Sequence, residues 1–302
     1  MDSHAGHGHA PASFGRAFAI GITLNVAYVA IEAIFGLRID SMALVADAGH
    51  NLSDVLGLVL AWGGATLARR GPTPRRTYGL RSSTILAAVA NAVFLLIAIG
   101  AIAWEAIRRI GHPASVAGGT VAWVAGIGIA VNAITAFLFM SGRKTDLNIR
   151  GAYLHMAADA VVSAGVVIAG LAMAATGWVW LDPAISIAIV IVIAISTWSL
   201  LRDSVNLALD AVPAHIDHAG VETYLSSLPG VREVHDLHIW GMSTTDVALT
   251  AHLVRPELED EDTLLKDVGD TLRTRFGIAH PTVQVERGKG PHGCALADKH
   301  VV

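Results

Sequence analysis

His50 and Asp54 stand four residues apart, and His155 and Asp159 repeat the pairing. On a helix that spacing stacks each pair one turn apart on one face. Imidazole nitrogen and carboxylate oxygen are both zinc donors, and two such pairs supply the four ligands of a tetrahedral site. Both pairs fall in apolar stretches of bilayer length, residues 42–68 and 147–176. A carboxylate at the bilayer centre costs about 3 kcal/mol or more, so it faces a protected interior and marks function. A histidine hydrogen-bonded to a neighbouring helix would explain one pair. It does not explain two pairs that each bring an Asp into lipid.

The elements that must hold these residues are legible in the composition. Of 302 residues 53% are apolar and only 15% charged, and the mean hydropathy is +0.55. Soluble domains carry roughly 25% charged residues, so the chain belongs in a membrane. Six apolar segments follow a polar start, at residues 14–36, 42–68, 82–104, 117–140, 147–176 and 182–201. Gly71-Pro72-Thr73-Pro74, His112-Pro113, Gly142 and Asp182-Pro183 interrupt them. The loop after the second segment holds Arg69, Arg70, Arg75, Arg76 and Arg81, and that after the fourth holds Arg143, Lys144 and Arg150. Arg16 and Arg202 lie on the same side, against Arg38, Arg108 and Arg109 on the other. The positive-inside rule then puts both termini in the cytoplasm. Segments two and five run in opposite directions. Asp54 lies 12 residues past Met42, and Asp159 12 past Leu147. Either distance is roughly 18 Å of helix, so the two pairs reach matched depth.

Other polar residues carry weaker signals. Asp47, one turn before His50, suits capping, interhelical hydrogen bonding or orientation of His50. Asn25, Glu32, Asn91 and Asn132 suit interhelical hydrogen bonds, and Glu105 beside Trp104 suits an interface anchor. Gly63, Gly64, Gly126 and Gly128 permit close helix approach. Residues 1–13 read as a disordered tail whose His4, His7 and His9 either collect metal loosely or merely cluster. No signal-peptide pattern precedes the first span.

From residue 203 the chain changes character. Residues 203–302 hold 16 of the 25 acidic residues and 8 of the 21 basic ones, within a net charge of −4. An acidic tail argues against nucleic acid as a partner. Helical spacing over residues 215–228, strand alternation over 231–240 and 246–254, an amphipathic helix over 257–276 and a strand over 281–286 predict an α+β domain in the order αββαβ. The expected layout is a tail at 1–13, a membrane domain at 14–202, a cytoplasmic domain at 203–288 and a flexible end at 289–302. Antiparallel pairing of the first two strands brings His235 near His252. His280 and Glu286 flank the last strand, and His292 and Cys294 follow it. The single cysteine excludes an internal disulfide and leaves thiol or ligand chemistry. His238 points opposite to His235 and is the weaker candidate.

These residues resemble the cation diffusion facilitators, in their zinc-transporting branch. The resemblance runs from Phe14 to Glu286. It rests on Asn25…Glu32…Gly36, on Ser41-Met-Ala-Leu-Val-Ala-Asp47-Ala-Gly-His50-Asn-Leu-Ser-Asp54 and on Tyr78-Gly-Leu-Arg81. It continues through Asn148-Ile-Arg-Gly-Ala-Tyr-Leu-His155-Met-Ala-Ala-Asp159, Asp182-Pro183 and His235-Asp-Leu-His-Ile-Trp240. It implies a homodimer in the lipid bilayer that exports divalent metal from the cytosol in exchange for protons. The transport site would be His50, Asp54, His155 and Asp159. A ferredoxin-like cytoplasmic domain would bind metal at His235, His252 and Glu286, with His280 and Cys294 as less regular ligands. The loop after segment two lacks the Asp and His that bind metal in some relatives, so its arginines are expected to meet lipid headgroups or the dimer partner. No long His-rich loop lies between segments four and five, which suits a bacterial inner membrane.

Imidazole donors suit zinc, cobalt and nickel, whereas an all-oxygen site suits magnesium, calcium or manganese. Zn²⁺ is the expected substrate, with Co²⁺ and Cd²⁺ as alternatives and H⁺ as counter-ion. An intramembrane metalloprotease would show His-Glu-x-x-His on one helix, and no such run occurs. A membrane-anchored metal sensor would not need matched ligand pairs at mid-bilayer depth. The chain reads as a transporter, not an enzyme.

Overall fold

A computed structural model of the chain describes residues 14–111, 115–140, 147–257, 260–288, 294 and 296. Helices form at all six expected stretches: α1 (Phe14–Arg38), α2 (Met42–Ala68), α3 (Ser83–Ile110), α4 (Gly118–Phe139), α5 (Leu147–Thr176) and α6 (Leu181–Ala208). Among the described residues four helical stretches are long and apolar enough to cross a membrane, Ser83–Ile110, Gly118–Leu138, His155–Thr176 and Leu181–Ala208. α3 and α6 outrun their apolar segments because no Gly or Pro stops them before Gly111 and Pro213. The chain divides into two compact units. One is Met1–Leu56 with Phe94–Thr197, the other Gly57–Val93 with Trp198–Val302.

The first unit exposes large apolar side chains and buries polar ones beside an apolar core. Trp123, Phe137 and Val161 are 72%, 70% and 73% exposed, while Glu32, Asn132 and Ser163 are fully buried. Large apolar side chains thus face outward and polar ones inward, as lipid requires. The apolar core joins Leu44 and Ala46 of α2, Ile99 of α3, Val121 and Val124 of α4, Val166 of α5 and Ile189 and Ile193 of α6. Small residues set the spacing of α4 and α5. A β-carbon at Gly118 would lie 2.5 Å from the Gly170 carbonyl oxygen, and one at Gly170 2.6 Å from the Ala122 nitrogen. Gly128 clears room for the Tyr28 ring, whereas nothing crowds Gly126.

The start of α2 is fixed by a residue distant in sequence. The buried Asp182 carboxylate, in the first turn of α6, accepts from Ser41 Oγ at 2.5 Å, Met42 N at 2.7 Å and Ala43 N at 3.3 Å. The first amides of a helix have no intrahelical acceptor, and this carboxylate supplies one. It thereby pins the end of α2 eight residues above His50.

In the second unit α7 (His218–Ser226), β1 (Glu233–Gly241), β2 (Val247–Val254), α8 (Glu261–Phe276) and β3 (His280–Glu286) follow the predicted order. Asp217 caps α7 by accepting from Gly220 N at 3.1 Å. The sheet order is β1-β2-β3, with β1 antiparallel to β2 and β2 parallel to β3. α8 is therefore the crossover that a parallel pair demands. Val221 and Leu225 of α7 and Val268 and Leu272 of α8 share one core with Ile239, Leu249 and Leu253 of the sheet. The turn between β1 and β2 meets the segment joining α2 to α3. Arg81 pairs with Asp246 at 3.1 Å, and Thr244 N donates to Thr84 Oγ1 at 3.1 Å. Arg81 thus has a carboxylate of its own chain as partner while staying 45% exposed.

Candidate metal centres

The first candidate centre joins α2 and α5. His50 Nε2 lies 3.5 Å from Asp159 Oδ1, and His155 Nε2 lies 3.5 Å from Asp159 Oδ2. The two imidazole rings stand 6.2 Å apart, edge to face. The Asp159 side chain is only 4% exposed, so its carboxylate sits out of solvent with one oxygen toward each histidine. In a tetrahedral zinc site with bonds of about 2.0–2.1 Å, neighbouring donors stand about 3.3–3.4 Å apart. Each separation is close to that spacing, the two contacts using different oxygens of the one carboxylate. Asp54 lies on α2, but its side chain falls outside the described residues, as do the structures of His4, His7, His9 and His292.

Two carboxyls adjoin this centre. Asp47, 1% exposed, receives a hydrogen bond from Ser163 Oγ at 3.4 Å, while its main-chain carbonyl accepts from Asn51 Nδ2 at 3.1 Å. Glu32, expected as interhelical glue, is fully buried, accepts from Tyr28 Oη at 2.7 Å within its own helix, and also meets the side chains of Asp47 and Asn51 on α2. Asn25 also links helices, donating to Met156 Sδ at 3.6 Å. Asn132 does not: its buried amide has no hydrogen-bond partner among the described residues.

The second candidate centre lies on the sheet. His235 pairs directly with His252 across β1 and β2. Glu286 is opposite Val254 on β3, hence the diagonal neighbour of His252. His252 Nδ1 lies 3.1 Å from Glu286 Oε1 and 3.5 Å from Cys294 Sγ, and His235 Nε2 lies 3.6 Å from Glu286 Oε2. One donor atom from each of His235, His252, Glu286 and Cys294 falls within 4.8 Å of every other. Both ring nitrogens of the buried His235 lack a hydrogen-bond partner among the described residues. An imidazole so placed costs free energy unless something takes its lone pair, and a metal ion does. Two nitrogens, an oxygen and a sulfur form a zinc-type donor set.

His280 is not part of this centre. It starts β3, six residues before Glu286, which is about 20 Å along a strand, and its ring stacks edge-on against Tyr78 at 5.6 Å. The parallel register puts it beside Ala248, at the far end of β2 from His252. The structure adds Asp236 beside this centre, a residue the ligand pattern did not single out. Its φ of +50° was not foreseeable, but its place between two candidate ligands was a signal.

A helical membrane domain with a buried aspartate between two half-buried histidines, joined to a small α+β domain with donors of its own, defines a membrane protein that handles metal cations. Residues 18–207 match the cation efflux transmembrane domain, and residues 213–288 match the cytoplasmic domain of cation efflux proteins. The chain belongs to the cation efflux family. It is 34% identical over 291 residues to a cadmium, cobalt and zinc/H(+)-K(+) antiporter of Bacillus velezensis, covering 95% of this chain and 93% of that one. It is 34% identical to the metal cation efflux system protein CzcD of Cupriavidus metallidurans, covering 93% and 90%. It is 36% identical to the zinc transporter ZitB of Escherichia coli, covering 89% and 86%.

Proposed function

We propose that this protein exports Zn²⁺ from the cytosol in exchange for protons, with Co²⁺ and Cd²⁺ as further substrates. The observation that carries the reading is the buried Asp159 carboxylate held 3.5 Å from each of two imidazoles. His50, Asp54, His155 and Asp159 form the transport site. These donors bind metal only when deprotonated, so protons and zinc compete for the same lone pairs. Zinc entering from the cytosol displaces protons, and protons from outside displace zinc as the helices alternate between inward- and outward-open states. The relatives named as zinc, cobalt and cadmium carriers support the substrate class, and the antiporter among them supports proton exchange.

Six helices span a bacterial inner membrane in this reading, with both termini cytoplasmic. Residues 14–202 form the transport domain and 203–288 a ferredoxin-like cytoplasmic domain. Two chains form a homodimer whose acidic cytoplasmic domains repel one another. A zinc ion held by His235, His252, Glu286 and Cys294 offsets that repulsion and favours one transport state. The chemistry it supplies is a positive charge that ties β1, β2 and the segment after β3 together.

The test is zinc uptake into inverted vesicles at two internal pH values. Wild-type uptake should rise as the interior is acidified, because internal protons strip zinc from the site. Asp159→Ala should show none. Uptake that ignores internal pH sinks the exchange mechanism, and uptake by the variant sinks the site.

A further inference from the structure

β1 carries an irregularity at the second centre. His235 pairs with His252 and His238 pairs with Thr250, so β1 advances three residues while β2 advances two. One residue is extra, which is a β-bulge, and bulges re-aim side chains next to functional sites. Within it Asp236 adopts φ +50°, a left-handed conformation that few residues other than glycine, asparagine and aspartate accept. In an even strand Asp236 would point away from the face that His235 occupies. Here its carboxylate, 11% exposed, reaches both neighbouring histidines. Oδ2 lies 3.5 Å from His252 Nε2, and Oδ1 lies 2.8 Å from His238 Nε2.

The two nitrogens of His252 thus have different surroundings. Nδ1 faces Glu286 and Cys294, where the metal donors converge, while Nε2 faces Asp236. We infer that Asp236 is a positioning residue for the cytoplasmic metal site, fixing His252 with its proton on Nε2 and its lone pair on Nδ1 toward the metal. The inference rests on the proposed reading of that site. A ligating imidazole gains both orientation and basicity from a carboxylate on its far nitrogen. His238, which donates to the other oxygen, holds the carboxylate in place. The local backbone irregularity is then the means by which a strand residue is turned toward this task.

Cobalt titration of the full-length protein in detergent tests this. Cys294 is the single thiol of the chain, so a thiolate-to-cobalt charge-transfer band reports the cytoplasmic site and not the one in the membrane. Asp236→Gly relieves the left-handed backbone, and Asp236→Asn tolerates it, so neither should lower the unfolding temperature of the metal-free protein. Both should raise the apparent Co²⁺ dissociation constant, by about 10–100-fold for the glycine variant. Wild-type affinity in both variants overturns the inference and leaves Asp236 as a bulge former only. Absence of the band in the wild type overturns the metal site beneath it.

Discussion

Asp182→Ala removes the acceptor on which the start of α2 hangs. Three donors converge on that carboxylate, at 2.5, 2.7 and 3.3 Å, and it is 1% exposed. Hydrogen bonds to a charged group contribute about 1.5–3 kcal/mol each. Counting only the two short ones gives about 3–6 kcal/mol, from which the burial of the carboxylate must be subtracted. Truncation also strands two amide N–H groups away from water. The net loss should be about 2–6 kcal/mol, since each buried donor left unsatisfied costs about 1–3 kcal/mol. Asp182→Asn should cost far less. Its amide oxygen can still accept from Met42 N, and its NH₂ can donate to Ser41 Oγ, which accepts as well as donates. The assay is thermal unfolding in detergent, followed by circular dichroism. Asp182→Ala should lower the midpoint by about 10 °C, and Asp182→Asn by a small part of that. A shift within the range of an ordinary surface substitution, about 0.5 kcal/mol, would refute the claim that this carboxylate anchors α2. Equal damage from both variants would show that charge, not hydrogen bonding, holds the helix.

Two further predictions concern the metal centres. Asp159→Asn keeps the side-chain shape and loses the negative donor; if four ligands share about 10–16 kcal/mol of zinc binding, one is worth about 3 kcal/mol, or roughly 100-fold in affinity, and the KM for zinc uptake should rise accordingly. An unchanged KM would remove Asp159 from the site. His235→Ala combined with His252→Ala should leave transport and its saturation by substrate intact but remove the additional activation by cytosolic zinc, measured as the initial rate against zinc concentration in vesicles; a rate curve identical to wild type would end the regulatory role.

How much was visible in the sequence follows from how local each feature is. The pairs His50/Asp54 and His155/Asp159 are repeats at helical spacing, so the face each occupies needs nothing but the periodicity. His235 and His252 needed one further assumption, antiparallel pairing of neighbouring strands, and the register supplies it. His280 failed because β3 runs parallel to β2, which sends the start of the strand to the opposite end of the sheet. The contact of Gly118 with Gly170 and the cap from Asp182 to Ser41 join residues far apart in sequence, and nothing in either segment names its partner. Arg81 was read by charge alone; its partner Asp246 lies in the loop between β1 and β2, more than a hundred residues on. The bulge at Asp236 breaks the alternation from which strand faces are read, so it could not be inferred from that alternation.

On the proposed reading the two centres differ in a way their tasks require. The membrane centre offers imidazole and carboxylate only, donors that surrender a metal ion to protons. That suits a site which must fill on one side and empty on the other in every cycle. The cytoplasmic centre adds a thiolate, Cys294 beside His252, a softer donor that favours zinc more strongly. It also has a carboxylate behind one histidine, and such a group raises the affinity of the ligand it orients. A site built to report cytosolic zinc must hold the ion at concentrations where the transport site is mostly empty, so that occupancy of the first precedes traffic through the second. Exchanging the donor types would fail both tasks: a thiolate at mid-bilayer would retain its cargo, and a purely imidazole and carboxylate sensor would fill only when the transport site already had.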